Sequence, residues 1–384
     1  MTTAIDPAAN RELHALLALL QIPGLGPLRI DRLITHTGSA VAALDADQTA
    51  CQACGLSAAI GTALQQPDWH GVERIVQWAT RPQAWIMTRY DARYPPLLRE
   101  IHAPPPVLFG VGDPDALREP QLAMVGTRNP TPSAVETTYA FARHLAGLGI
   151  VIASGLAQGI DTAAHQGALR GGKTIAVLGT GPDRIYPKSN HALAHQIVEH
   201  GGALVSEFLP GTGPQREHFP RRNRLISGLS LGTFVTEAGV QSGALITARY
   251  AVEQGREVFA LPGSIHNPLA RGCHALIRDG AKLIDCIEQL LDELLPQLNR
   301  ALLPIDLTPP SDALDTVTAT TAPSLIELPA AERQLLDLLD NSPTAPDELI
   351  QRSGWAADAV ISTLLLLELR GHVLSHPGGR YSRR

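Results

Sequence analysis

Aromatic residues make up only 4% of this 384-residue chain. A core built without them has to be aliphatic, and a surface with so few limits the stacking of flat ligands. Cysteine is also sparse: Cys51, Cys54, Cys273 and Cys286 are too few for a disulfide framework at this length. Cys51 and Cys54 form one C-x-x-C in an Ala-rich helical context, with no second Cys or His pair at zinc spacing, which favours packed or merely exposed thiols over metal or redox chemistry. Long hydrophobic runs are missing too. The apolar stretch at 13–22 is interrupted by His14, follows Asp6, Arg11 and Glu12, and is too short for a membrane span and wrongly flanked for a secretion signal. There is no surplus of positive charge, the formal net charge being -6, so any nucleic-acid binding has to come from local clusters. The expectation is a soluble, cytoplasmic protein with no membrane partner.

Catalytic signatures are equally scarce. No Ser-His-Asp order, paired carboxylates or metal cluster stands out, and His165, His195 and His274 fall on helices, where surface or capping roles prevail. The reading is of a non-enzyme with no catalytic residue, no metal and no cofactor. Gly179-Thr180-Gly181 is followed by Pro182 and Asp183, with Arg184 where a dinucleotide fingerprint wants its third glycine. Glu207 lies too far along to hold a ribose, so dinucleotide binding is disfavoured.

What the chain does have is a change of period. Residues 1–85 read as short helices, with Leu13, Leu16, Leu17 and Leu20 at helical spacing and a glycine hairpin at Gly24 and Gly26. That hairpin is similar to a helix-hairpin-helix turn, although an ordinary helix-helix turn accounts for it equally. Residues 86–114 are a proline-rich extended connector with room for a short strand. From 115 to 295, runs that are apolar throughout (122–125, 150–153, 174–178, 203–206, 233–236, 258–261 and 282–284) alternate with helical stretches. Such strands mean a doubly wound α/β domain, a parallel sheet covered on both faces. Residues 296–328 read as a mildly acidic linker. Residues 329–384 read as a winged helix whose third helix, at 357–369, lacks the side chains a major-groove reader needs. A protein-contact or packing role is favoured there, with Arg380, Arg383 and Arg384 as candidate phosphate contacts.

Four segments carry candidate chemistry. In the first, Gly126 allows close approach, Thr127 can donate to an anion, and Arg128 stands at a strand end where it can bind phosphate bidentately. The stretch 154–181 follows, in which Gly155 and Gly159 surround Gln158 at a strand end, and the next helix offers its amides and dipole to an anion. Around 219–228, Arg221, Arg222, Asn223 and Arg224 crowd one helix turn, the nearest acid in sequence being Glu217. Arg221 and Arg224 should point one way and Arg222 another, and phosphate binding is preferred over a solvated face. In the last, a strand ends at Glu237, and Ser242 and Gly243 open a further helix with Ser242 as N-cap.

In this order, VGTR (125–128), SGLAQGIDTAAHQGAL (154–169), GGKTIAVLGTG (171–181), FPRRNRLISGLS (219–230) and SGALITARYAVEQGREVFALPG (242–263) resemble the DNA-processing protein A family (DprA, also called Smf) of bacterial natural transformation. The resemblance implies an extended Rossmann-like domain that binds single-stranded DNA in a basic pocket, usually as a homodimer. It also implies loading of the RecA recombinase and easing of the single-strand-binding protein barrier. By position, Arg128 and Lys173 match family residues expected to touch DNA, and Arg221, Arg222 and Arg224 match its basic helix. The expected contacts are thus Gly126, Thr127, Arg128, Gly155, Gln158, Gly159, Lys173, Arg221, Arg222, Asn223, Arg224, Ser242 and Gly243. Two positions depart from the pattern: Thr127 stands for the common Ser, and Gln158 for the common Arg.

Two other readings compete. Glu237 and the helix start at Ser242 could imitate the site of a nucleotide-processing phosphoribohydrolase, but the Pro-Gly-Gly loop of those enzymes is absent. A transcription factor reading DNA through the winged helix is disfavoured by its apolar third helix.

Overall fold

The computed structural model describes residues 7–302, 330–339, 344–369, 373–376 and 380–383. The described residues fall into two compact units, one ending at Leu302 and the other beginning at Ala330.

The first unit opens with α1 (Pro7–Leu20), α2 (Pro27–Thr37), α3 (Ala40–Leu44), α4 (Gln48–Ala53), α5 (Ala58–Leu64) and α6 (Trp69–Ala79). Ser39, Asp47, Ser57 and Asp68 cap α3 to α6, each accepting a backbone N–H of the first turn. These caps explain how such short helices hold their ends. Leu16, Leu17, Ile30, Leu33 and Trp78 form a core that also takes in Val107 and Phe109 of the neighbouring sheet. Cys51 and Cys54 are buried in it. Gly24 holds φ +81° in the hairpin, and Arg29 Nη1 folds back onto its carbonyl at 2.7 Å rather than reaching outward.

A nine-stranded sheet follows: β1 (Ala84–Thr88), β2 (Val107–Gly112), β3 (Gln121–Val125), β4 (Val151–Ser154), β5 (Thr174–Val177), β6 (Ala203–Ser206), β7 (Gly232–Val235), β8 (Glu257–Ala260) and β9 (Lys282–Leu283). Its order is β1-β2-β6-β5-β4-β3-β7-β8-β9. The seven strands from β6 to β9 are parallel, while β1 and β2 are antiparallel additions on the β6 edge. The proline-rich stretch read as a connector therefore contributes nearly all of two strands. Five of its six prolines lie in the segment between them, where α7 (Pro96–Arg99) turns the chain, and Pro114 follows β2.

The helices α8 (Pro132–Gly147), α9 (Ile160–Gly171), α10 (His191–Glu199), α11 (His218–Gly228), α12 (Ala244–Glu253), α13 (Arg271–Arg278) and α14 (Ile287–Leu302) cover the sheet. Alternation along the strands sorts them. Leu122 and Met124 of β3 pack with α8, α9 and α14, whereas Ala123 and Val125 pack with α11, α12 and α13. α14 continues through Pro296 to Leu302, so the first residues read as linker are helical. The rest of that linker lies outside the described residues.

The second unit holds α15 (Ala330–Asp337), α16 (Pro346–Ser353), α17 (Ala357–Leu369) and the antiparallel pair β10 (Val373–His376) and β11 (Arg380–Arg383). This is the expected winged-helix order, with Leu335, Leu349, Val360 and Leu364 in its core. Arg384 lies outside the described residues.

Candidate nucleic-acid interface

β4 and β7 flank β3 on opposite sides, and the chain reverses its direction of winding there. Loops diverge at such a point and leave a crevice at the carboxyl ends of the strands. Here it measures about 620 Å³ and is lined from the end of β3, the start of α9, the loop before α10, the start of α11 and the start of α12. Arg128 and Arg216 both line it, and both are exposed. Neither takes part in an ion pair among the described residues. Two guanidinium groups without a counter-charge, in an open crevice, suit a phosphate-bearing ligand.

Two of the few aromatic residues are gathered at the same place. Phe219, in the first turn of α11, has its ring centre 5.5 Å from that of Tyr186, which is 44% exposed. The Arg128 guanidinium lies 5.9 Å from the Phe219 ring centre. The composition suggested little stacking surface. The fold concentrates what there is.

The basic turn of α11 divides as its spacing predicts. Phe219, Arg222, Asn223 and Ile226 face the crevice, while Arg221 and Arg224 point the other way, to Glu207 just beyond β6. Glu207 is buried and accepts from both, from Arg221 Nη2 at 3.1 Å. Arg224 also donates to the Ala103 carbonyl at 2.6 Å, and Arg221 lies 5.2 Å from the Phe208 ring centre. Of the three arginines of this turn expected to contact DNA, Arg222 lines the crevice, and Arg221 and Arg224 do not. Glu207 holds both with one carboxylate and so offsets one of their two charges; they lie 14 and 17 residues further along the sequence.

Arg222 faces the crevice from below. It is buried, and its Nη1 donates to the carbonyls of Gly155 (2.8 Å) and Val177. Burial pushes its guanidinium down to about 10, with Asp161 opposing and Arg128 reinforcing the shift. The loop between β4 and α9 is closed internally. Asp161 Oδ2 accepts from Gly155 N at 3.1 Å and Ala157 N at 3.2 Å, and Asn190 Nδ2 donates to the carbonyls of Leu156 (2.9 Å) and Ala157 (3.2 Å). The amide of Gly155, expected as a ready donor to a phosphate, already holds a carboxylate of the chain itself, as does that of Ala157. Gly159, at φ +80°, packs against the backbone of Thr127 and Arg128, where a Cβ would come within 2.5 Å. Gln158 is exposed, with Nε2 donating to Ser189 Oγ at 3.2 Å.

On the opposite wall, Gly243 is exposed and is itself the cap position of α12, one residue later than expected; Ser242 Oγ accepts from Ala244 N at 3.3 Å. Asn223 Oδ1 accepts from Arg222 Nε at 3.2 Å. Gly126 packs closely on Ile160, and Thr127 N donates to the Glu237 carbonyl at 2.7 Å. The Glu237 carboxylate does not line the crevice. It accepts from Thr131 N (2.8 Å), Thr131 Oγ1 (2.9 Å) and Asn267 Nδ2 (2.9 Å), tying the start of α8 to the loop before α13.

The profile of a family described as DNA recombination-mediator protein A matches residues 85–295, which takes in the whole crevice. The chain belongs to this family. A second profile, the DprA winged helix domain, matches residues 319–379. Family relatives include Protein Smf of Escherichia coli, 41% identical over 309 residues that cover 80% of each chain. Protein Smf of Synechocystis is 37% identical over 98% of this chain and 100% of its own. Among solved structures, DNA processing protein A from Streptococcus pneumoniae superposes with a TM-score of 0.63 at 36% identity, over 76% of this chain and 99% of that one. The Helicobacter pylori protein, described for its unique single-stranded DNA binding mode, superposes with a TM-score of 0.51 at 32% identity, over 57% and 99%.

Of the positions carried over from the family, Lys173 is not brought to the crevice. It precedes β5, at the amino end of the sheet, where it pairs with Glu119 (2.5 Å) and Asp113 (3.7 Å). Arg216, Tyr186 and Gln241 line the crevice and were not singled out from sequence. Arg216 stands alone between Gln215 and Glu217, so no local pattern marked it. Among the described residues, no group of three or more His, Cys, Asp or Glu could hold a metal, and no helix is long and apolar enough to cross a membrane.

Proposed function

We propose that this protein binds single-stranded DNA in the crevice and acts as a recombination mediator of natural transformation. In this role it protects incoming strands from nucleolytic loss and loads RecA onto them past the single-strand-binding protein. The observation that carries the reading is the pairing of two exposed, unneutralised arginines, Arg128 and Arg216, with the Phe219–Tyr186 ring pair. Guanidinium groups hold phosphates, and aromatic faces accept unpaired bases of any identity, a combination that single strands offer and duplexes hide. Binding is therefore tolerant of sequence and falls with salt. The protein works as a homodimer in the cytoplasm and performs no chemistry on its ligand. Against a phosphoribohydrolase-like role stands Glu237, whose carboxylate is fully engaged away from the crevice.

The test is a titration with an oligothymidylate and with its duplex counterpart at several salt concentrations, beside an assay for nucleoside monophosphate turnover. Preference for the single strand without turnover is expected. Duplex preference, or turnover abolished by Glu237→Ala, would overturn the reading.

A further inference from the structure

The loop at 155–158 is held in an unusual shape. Leu156, fully buried, has φ +60°, a left-handed conformation that a non-glycine residue holds only where the surroundings impose it. Residue 155 is gripped from both sides. Its N–H donates to Asp161, and its carbonyl accepts from Arg222, which also reaches the Val177 carbonyl at the end of β5. Asp161 and Arg222 are both buried and of opposite charge, yet they form no direct ion pair; the backbone of the loop lies between them. A buried arginine needs such an arrangement, because an isolated charge in the interior is strongly penalised.

We propose that Asp161 and Arg222 are positioning residues: together they clamp the 155–158 loop, occupy the amides that a phosphate would otherwise take, and leave the strand's backbone to Arg128 and Arg216. The clamp stands on the geometry of the free protein, while its effect on DNA rests on the single-strand reading above. It predicts an odd phenotype for an arginine in a nucleic-acid site. Loss of Arg222 should weaken binding without removing a phosphate contact.

Hydrogen exchange of the amides at 155–160 is measured on the free full-length protein and on Asp161→Asn, Arg222→Gln and Gly155→Ala, each well below its own melting temperature. Oligothymidylate affinity is then followed against salt. Exchange of the Gly155 and Ala157 amides should rise about tenfold in all three variants, and affinity should fall about tenfold, as expected from losing one buried hydrogen bond. The slope of log K against log salt should stay at the wild-type value. In Arg128→Ala the slope should drop by about 0.7, the share of one single-strand phosphate contact, with loop exchange unchanged. Unchanged exchange in the variants, or a slope loss of about 0.7 in Arg222→Gln, overturns the proposal. If a charge variant fails to fold, Gly155→Ala carries the test alone, since it displaces the guanidinium while every charge is kept. If the wild type does not bind oligothymidylate, the single-strand reading fails, and the exchange data still judge the clamp.

Discussion

A Cβ at Gly155 would lie 2.6 Å from Arg222 Nη2, so the glycine ending β4 makes room for a side chain 67 residues further along. Two segments that look like independent phosphate-binding motifs in the sequence are halves of one buried contact. Gly155→Ala should cost about 1–3 kcal/mol, since a well-packed site has to shift to admit the methyl group. Gly243 has φ −60° and no atom within 4 Å of the same addition. Gly243→Ala should therefore stay within about 0.5 kcal/mol of the wild type. Denaturant unfolding of the two variants measures both.

Glu207 should matter to stability more than either arginine it holds. Its side chain is 2% exposed, against 12% for Arg224 and 48% for Arg221. Removing the carboxylate leaves Arg224 charged, largely buried and short of a partner, at a cost of about 3–5 kcal/mol for Glu207→Ala. Arg221→Ala, at a half-exposed pair, should cost under about 1 kcal/mol. Thermal unfolding with a matched denaturant series checks the order.

The acid limb of stability should carry the signature of His165. Its ring is fully buried: Thr174 Oγ1 donates to the Ile152 carbonyl at 2.6 Å, so His165 Nδ1, 2.7 Å away, is the donor to that hydroxyl. Burial, aided by the charge of Arg222, lowers the folded-state pKa from 6.5 to about 3. The unfolded chain then binds a proton that the folded one refuses. Stability from this group is complete above pH 6.5 and is lost as pH falls toward 3. Asp161, raised by burial, works with the opposite sign from its ordinary value upward. In His165→Gln the slope of stability against pH between 6.5 and 3 should be reduced relative to the wild type. Denaturant midpoints across that range decide it.

Glu237 should behave as a structural strut. Glu237→Ala removes the acceptor for Thr131 N, Thr131 Oγ1 and Asn267 Nδ2, and should cost about 1–3 kcal/mol. The folded variant should keep the wild-type salt slope for oligothymidylate. Melting curves and the same titration separate the two effects.

Much of the sheet was legible from sequence because its strands are largely apolar: the run at 203–206 matches β6 in both bounds. Periodicity could not place β1 and β2, since prolines nearby favour a loop and only pairing, of β2 with β6 and of β1 with β2, makes strands of them. The candidate site was legible in its segments but not in its charges. That Arg221 and Arg224 point away from Arg222 follows from helical spacing. That Glu207 waits on their side does not, for it depends on which strand lies next to α11. Lys173, carried over from the family by position, stands a strand's length from the glycines that follow β5, at the other edge of the sheet.

On the proposed function, Arg128 and Arg216, and not the arginines bound to Glu207, should hold the DNA backbone. The most direct test is the salt dependence of oligothymidylate binding in Arg128→Ala/Arg216→Ala and in Arg221→Ala/Arg224→Ala. The first double variant should lose about 0.7 of slope for each contact removed, and the second, where folded, should keep the wild-type slope. The reverse pattern, with the slope lost in Arg221→Ala/Arg224→Ala and kept in Arg128→Ala/Arg216→Ala, would contradict the claim.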